Sequence, residues 1–447
     1  MKKLNIILLA AASLLSLGAS AQSFRSGYFL DNDVYGYRIN PAQVNEKSFL
    51  SIGLGNIDLQ NRANFGVGTF LFPTDNGSIV TGLNKAVSAD TFLGGLKENN
   101  FLDLDESINI LSFGIANGER MHTVELNLRI QGTVNLPYDL FSFAKKGGAG
   151  TFNIGGLFAN VNTIADLAYG YSMNITDNLS VGGRLHALLG VVNVNLNTNG
   201  SALTLSDSRI TVNPDVDLLV SGPLSVSTDA DGSIDLNSIA ADTKQIVGGF
   251  GASLDLGVEY KSDFGLDAMI SVTDLGIMSW KNTIAANAAG AFDYSGGNIS
   301  FDGGEMKTDF EQILDVSKIF SFNVTQGPSS ISMLPFNIAA GARYFMPFYD
   351  KLSVGALATY HNARYASWFD ARVGATISPL RLVSFSSNIG YGTFGPVWGA
   401  ALNLNLGPIN MIAGLDSFIG DLGKISNIPV PLGAFTENAH VGISIVF

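Results

Sequence analysis

The stretch that decides the fold is Ala439-His440-Val441-Gly442-Ile443-Ser444-Ile445-Val446-Phe447. Successive side chains of a β-strand point to opposite faces. Val441, Ile443, Ile445 and Phe447 therefore share one apolar face, and His440, Gly442, Ser444 and Val446 share the other. An ordinary edge strand would read this way. So would a strand of a transmembrane β-barrel, with one face toward lipid and the other toward the lumen.

The other end of the chain favours the barrel. Lys2 and Lys3 precede an apolar run from Ile6 to Leu17, and Ala19-Ser20-Ala21 supplies small residues at a cleavage position. Residues 1–21 are expected to be a secretory signal peptide, with the mature chain starting at Gln22. The apolar run is short for a bilayer span. The chain has no cysteine, so neither a lipid-modified cysteine nor a disulfide is available. Hydrophobic residues make up 46% of the chain and mean hydropathy is +0.26, yet no second stretch reaches the roughly 18 apolar residues of a membrane helix. The apolar content instead alternates with Gly, Ser, Asn and Thr; Gly alone contributes 51 residues, and sustained helical patterns are few. The formal net charge of −13 disfavours nucleic acid as a partner. Acidic residues concentrate in stretches that read as loops, such as Asp215 to Asp242.

Period-two segments of barrel length recur along the chain. Fourteen are expected: 62–72, 108–116, 124–130, 167–175, 179–191, 250–260, 264–272, 336–344, 352–360, 369–377, 383–391, 398–406, 409–415 and the final strand. Their connections support this count. The stretches 73–106, 133–164, 194–248, 274–333, 362–365, 392–396 and 417–438 all fall at one end. The tight turns 117–121, 176–178, 261–263, 347–350, 378–381 and 407–408 fall at the other. Outer-membrane barrels have this asymmetry, with long extracellular loops and short periplasmic turns. Aromatic residues at strand ends, among them Tyr344, Phe345, Phe348, Tyr349, Tyr365, Trp368, Phe369, Tyr391, Phe394 and Trp398, are expected to form interfacial girdles.

Residues 22–61 do not fit this parity. Phe49 to Asn56 alternates, but one more strand would make the barrel odd, so 22–61 is expected at the lumen or its periplasmic mouth and 62–447 in the barrel. This stretch holds Asn40-Pro41-Ala42, which on its own is a turn signal. The triplet resembles the plug region of the long-chain fatty-acid transporter family of 14-stranded barrels, and a related outer-membrane component of a Bacteroidota secretion system shares the pattern. A wider likeness covers nearly the whole mature chain. It is carried by Phe29-Leu30 through Pro41-Ala42, Thr69 to Pro73, Ile110 to Gly114 and Val134 to Phe141. Here the chain resembles a Bacteroidota-wide family of uncharacterised outer-membrane barrels. That resemblance implies location and fold and names no substrate. The final strand likewise resembles the C-terminal signal of bacterial outer-membrane barrels. The likeness implies that Val441, Ile443, Ile445 and Phe447 are read by the barrel assembly machinery. The implied surroundings are outer-membrane lipid and lipopolysaccharide.

No catalytic constellation stands out: there is no phosphate loop, G-x-S-x-G or H-E-x-x-H. The four His residues, His122, His186, His361 and His440, lack ligand spacing, and no cofactor is expected. Asp229 to Asp235 has the clustered oxygens of a calcium loop, but its Gly is misplaced for an EF-hand, so a solvated acidic turn is preferred. Thr308 to Phe320 is the best helix candidate, with Phe310, Ile313, Leu314, Ile319 and Phe320 as its apolar stripe. Glu125, Arg129, Arg184, His186, Asp255, Glu259, Arg343, Asp370 and Arg372 are expected to face the lumen. Buried charges must pair, so they form either a stiffening ladder or the lining of a pathway. The first expectation is a plugged channel or transporter for small molecules, hydrophobic ones among them. The second is a scaffold acting through loops 194–248 and 274–333.

Overall fold

The computed structural model describes residues 24–447, apart from the interior positions 75–77, 147–149, 207–208, 214, 229–233, 242–246, 290–291, 295–300, 303–304, 307–322, 326–328 and 426–427. The leader, the Thr308–Phe320 helix candidate and most of the Asp229–Asp235 loop lie outside the described residues.

A closed antiparallel barrel of fourteen strands accounts for most of the chain. The strands are β1 (Phe49–Ala63), β2 (Asn99–Asn117), β3 (Arg120–Pro137), β4 (Phe158–Thr176), β5 (Leu179–Thr198), β6 (Gly249–Lys261) and β7 (Leu266–Trp280). They continue as β8 (Phe336–Phe345), β9 (Leu352–Asn362), β10 (Trp368–Leu380), β11 (Val383–Gly392), β12 (Gly395–Leu406), β13 (Ile409–Phe418) and β14 (Phe435–Val446). Each strand pairs with its sequence neighbour, and β14 pairs with β1, from Phe49 opposite Val446 to Ala63 opposite Phe435. Closure leaves no unpaired edge, which a bilayer requires.

Side-chain alternation sorts the strands into an apolar exterior and a polar interior. Leu185, Ile270, Val373, Ile389, Val441, Ile443, Ile445 and Phe447 are exposed on the outside. Their inward neighbours Arg184, His186, Ser271, Arg372, Asn388, His440 and Ser444 are buried. Six tight connections lie at one end, and one more, the two-residue turn Thr393-Phe394 between β11 and β12, lies at the other. At the other end β2 to β5 run on past the length a bilayer needs, and the first two long connections pack on each other. There α1 (Ala89–Gly94), capped by the Ser88 side chain accepting from the Thr91 N–H, packs with α2 (Tyr138–Lys146) around Phe70, Phe72, Val87, Phe92 and Phe141.

Two expectations are corrected. The first strand is Phe49–Ala63, not 62–72, so the barrel starts at residue 49 and the segment before it is shorter than 22–61. The cause is a register shift, between Ile52 and Asn56 against β2 and between Leu50 and Asn56 against β14, with Gly53 at a φ of 59°. Inward positions run Phe49, Ser51 before the shift and Asn56, Asp58, Gln60, Arg62 after it, so alternation changes phase within one strand. Downstream, Gly66 and Gly68 lie against the backbone of Leu432 and Gly433, and a Cβ at Gly66 would sit 2.3 Å from the Gly433 carbonyl oxygen. The chain makes a 3-10 turn there instead of a strand. The girdle expectation also fails at two residues. Trp368 and Phe394 point inward and are buried, whereas Phe348, Tyr349, Phe369, Tyr391 and Trp398 are exposed.

Candidate functional site: the closed lumen

Residues 24–48 thread the lumen without joining the barrel sheet. Short 3-10 turns at Arg25–Phe29 and Gly36–Arg38 shape the segment. It starts level with the middle of β10 and β13, dips to Asp31 near the tight turns, climbs to Arg38, and descends to Ser48. Ser48 exchanges backbone hydrogen bonds with Phe447 at 3.1 and 2.9 Å.

Inward-facing glycines of the wall make room for the segment. A Cβ at Gly414 would lie 1.9 Å from the Phe24 ring, and one at Gly399 would lie 2.1 Å from Ser26 Oγ. Cβ atoms at Gly182 and Gly257 would lie 2.0 Å from the Pro41 carbonyl oxygen and 2.2 Å from Asn40 Oδ1. The Asn40-Pro41-Ala42 triplet is thus a buried turn seated in a two-glycine notch. Asn40 Oδ1 accepts from the Ala42 N–H at 3.2 Å, closing the turn, and the neighbouring Ile39 carbonyl accepts from Ser271 Oγ at 2.7 Å. At the low point, Asp31 accepts from Ser378 Oγ at 2.6 Å and pairs with Arg343.

A continuous charged network crosses the barrel at mid-height. Arg38 donates to Glu125 Oε1 through Nε at 2.9 Å and Nη2 at 2.6 Å, and to Asn56 at 2.9 Å. Tyr37 OH donates to the same Glu125 oxygen at 2.7 Å. Arg184 links Glu125 to Asp255, the latter at 3.1 Å. His186 sits between Asp166 at 2.9 Å and Asp255 at 3.0 Å, one on each ring nitrogen, an arrangement in which only the doubly protonated ring donates from both. Arg129 meets Asp274 at 2.8 Å and Asp166 at 3.4 Å. These groups surround a polar cavity of about 40 Å³. Burial works against the charged form of Arg38, but Glu125, Tyr37 and Asp58 outweigh it and hold the guanidinium above its ordinary value.

A second network lies across the lumen. Arg372 reaches Asp370 at 2.6 Å, Asn388 at 3.1 Å and Asp416. Ser26 donates to Asp416 and accepts from Asn388 Nδ2 at 2.7 Å. Toward the long-loop end the wall turns apolar, through Ile164, Leu188, Met278, Trp280 and Leu334 on one side and Phe101, Ala366, Trp368 and Phe394 on another. The order from the loops inward is therefore an apolar layer, a charged layer, and the lower part of the N-terminal segment.

The residues singled out in the sequence do not all meet. Glu125, Arg184, His186, Asp255 and Arg129 share the first network; Asp370 and Arg372 belong to the second. Arg343 pairs with Asp31, and Glu259 lies apart, 3.1 Å from Lys261. The reading missed Asp166, Asp274 and Asp416 on the wall and Arg25 and Arg38 on the segment. Among the described residues no group of three or more His, Cys, Asp or Glu is arranged to hold a metal ion.

Comparison with known proteins places the chain as follows. The model of a family described as of unknown function, DUF5723, matches residues 41–416. No curated protein matches. Among solved structures, the toluene transporter TodX of P. putida is similar at 11% identity, covering 96% of this chain and 99% of that one, with a TM-score of 0.47. The toluene transporter TbuX of Ralstonia pickettii is similar at 11% identity over 92% and 93% of the two chains, with a TM-score of 0.45. A Pseudomonas aeruginosa FadL homologue is similar at 12% identity over 96% and 99%, with a TM-score of 0.40.

Proposed function

Because the chain belongs to the DUF5723 family, whose description assigns no activity, we propose a role from its own lumen: a gated outer-membrane channel or transporter for small molecules, with residues 24–48 as its plug. One observation carries this reading. The lumen is filled by a separate segment, not by strand pairing; ion pairs, hydrogen bonds and glycine notches hold it together with apolar contacts to Phe49, Met121, Ile412 and Leu357 of the wall.

The physical argument runs through cost. Buried ion pairs stabilise a protein little more than well-packed apolar residues of equal volume, and often less. A barrel that never opened would gain nothing by lining its centre with Glu125, Arg129, Arg184 and Asp255. The same wall becomes a hydrated, charged pathway once the segment leaves. The apolar layer on the loop side supports small hydrophobic molecules as candidates for first contact, with the charged layer beneath as the barrier they meet.

A second reading is a scaffold that acts through its long loops, and the extent of charge pairing in the lumen favours it. Conductance in planar bilayers separates the two. The gated reading expects a closed full-length protein and an open variant lacking residues 24–45. If neither protein conducts while both give the heat-modifiable gel shift of a folded barrel, gating of an aqueous path is wrong and the scaffold stands. Insertion by the barrel assembly machinery through Val441, Ile443, Ile445 and Phe447 belongs to the same proposal. So do contacts of the apolar exterior with lipid and lipopolysaccharide.

A further inference from the structure

Arg25 on the N-terminal segment and Arg62 on β1 converge on the same indole. Their guanidinium carbons lie 4.8 and 4.9 Å from the Trp368 ring. Both side chains are buried, at 2% and 1% exposure. Two like charges in one dry place are costly unless acceptors surround them.

Each nearby carboxylate turns Oδ2 toward these guanidiniums at ion-pair distance and gives Oδ1 to another partner. Asp416 gives Oδ1 to Arg372 and Ser26, while its Oδ2, 3.9 Å from Arg25 Nε, has no hydrogen-bond partner. Asp103 accepts from Thr133 at 2.7 Å and lies 3.3 Å from Arg62 Nη2. Asp105 accepts from Gln131 at 3.2 Å and lies 4.0 Å from Arg62. The result is a set of buried donors without hydrogen-bond partners: Arg25 Nε and Nη2, Arg62 Nε, Nη1 and Nη2, and Trp368 Nε1. His361, stacked on the same indole at 5.3 Å, brings no carboxylate. Burial, with repulsion from Arg372 and Arg62 and against Asp370 and Asp416, brings Arg25 down to about 10.

We propose that Arg25 and Arg62, with Trp368 Nε1, form a binding site for a small oxyanion, a carboxylate or phosphate group, at the seam between the N-terminal segment and the wall. The guanidinium fork matches two oxygens of such a group at once, which a point charge does not. The cavity of about 10 Å³ that Arg25 lines, room for about one water, is bounded by Ser271, Asn337 and Leu357 and not by Arg62 or Trp368. An oxyanion therefore enters with a shift of the Arg25 turn, and once in place it bridges segment to wall. The site follows from the orphaned donors and stands whether or not the barrel conducts.

The test is calorimetric titration of the full-length protein in neutral detergent with inorganic phosphate and, separately, acetate, at fixed ionic strength. Saturable binding of either is expected, weakened at least about tenfold in Arg62→Gln and in Arg25→Gln and unchanged in the distant Lys424→Gln. Binding of phosphate alone assigns a phosphate-bearing ligand, and binding of both assigns any small oxyanion. Arg25 lies outside the barrel wall, so Arg25→Gln provides the comparison even where Arg62→Gln does not fold. No saturable binding to the wild-type protein, or equal binding in Arg25→Gln, overturns the site.

Discussion

Arg38 and Glu125, 87 residues apart in sequence, form a two-donor link between the N-terminal segment and the barrel wall, with Nη2 at 2.6 Å and Nε at 2.9 Å from one carboxylate oxygen. The same carboxylate holds Arg184 and Tyr37. Glu125→Gln therefore leaves two buried guanidiniums short of their main counter-charge, a change that costs about 3–5 kcal/mol. Part of this falls on the seated segment, so the variant is expected to conduct in bilayers where the wild type is closed. Arg38→Met should open it less, because removing the cation from the segment leaves Glu125 still paired with Arg184. Equal silence of both variants would separate this ion pair from gating.

The glycine notches give a steric route to the same end. A side chain at Gly414 must displace the Phe24 ring, and one at Gly399 must displace Ser26. Gly414→Leu is expected to expel the start of the segment while β13 keeps its pairing with β12 and β14. Limited proteolysis should then cut within residues 24–31 in the variant and not in the wild type, with the heat-modifiable gel shift intact in both. A protected segment in Gly414→Leu would mean that the wall, not the segment, gives way.

What the sequence disclosed and what it hid have one physical origin. Strict period-two alternation announced the barrel, its strand number and the inward set on β3, β5 and β6. It failed where a bulge changes phase. On β7 the register shifts so that Thr273 and Asp274 together face Asp255, and both turn inward; a reading that stopped the strand at Val272 could not see Asp274. The phase change at Gly53 hid β1 and with it Asp58 and Arg62. Asp166 and Asp416 lay just outside strands drawn at 167–175 and 409–415, where β4 begins at Phe158 and β13 ends at Phe418, yet Asp166 continues the inward series Ser172, Gly170, Ala168. Trp368 is in phase with Asp370 and Arg372, a signal that the expectation of an aromatic girdle overrode. The segment's contacts through Arg25 and Arg38 carry no periodic trace at all.

Asp33 makes seating of the segment pH-dependent. Burial pushes its carboxyl up to about 6 from the ordinary 3.8, against the Tyr35 N–H bond and the nearby His440 and Arg38, with Asp58 adding to the rise. A group raised in the seated state favours that state in its protonated form. Seating is thus strongest below about pH 4 and weakens as pH rises through 6, by on the order of 3 kcal/mol in full. Open probability in bilayers should rise between pH 5 and 7.5. Asp33→Asn keeps an acceptor for the Tyr35 N–H, at 2.8 Å in the wild type, and should flatten this profile and tighten closure at neutral pH. A profile unchanged by Asp33→Asn would assign the dependence to another group.

Asp274 combines backbone strain with charge pairing, and the two can be weighed separately. It adopts a φ of 63°, donates its N–H to Asp255 Oδ1 at 2.7 Å and accepts from Arg129 Nη1 at 2.8 Å. Left-handed backbone costs a residue with a Cβ roughly 1–2 kcal/mol, least for Asp and Asn and nothing for Gly. Asp274→Asn keeps the backbone preference and a neutral acceptor for Arg129. Asp274→Gly keeps only the backbone freedom. Asp274→Ala keeps neither and leaves Arg129 to Asp166 alone, which stands at 3.4 Å. The expected order of barrel stability in urea is Asp, Asn, Gly, Ala, with Gly and Ala separated by about 1 kcal/mol. Equal stability of Gly and Ala would show that the bulge relaxes without its left-handed residue, and the cost at this position would then be charge alone.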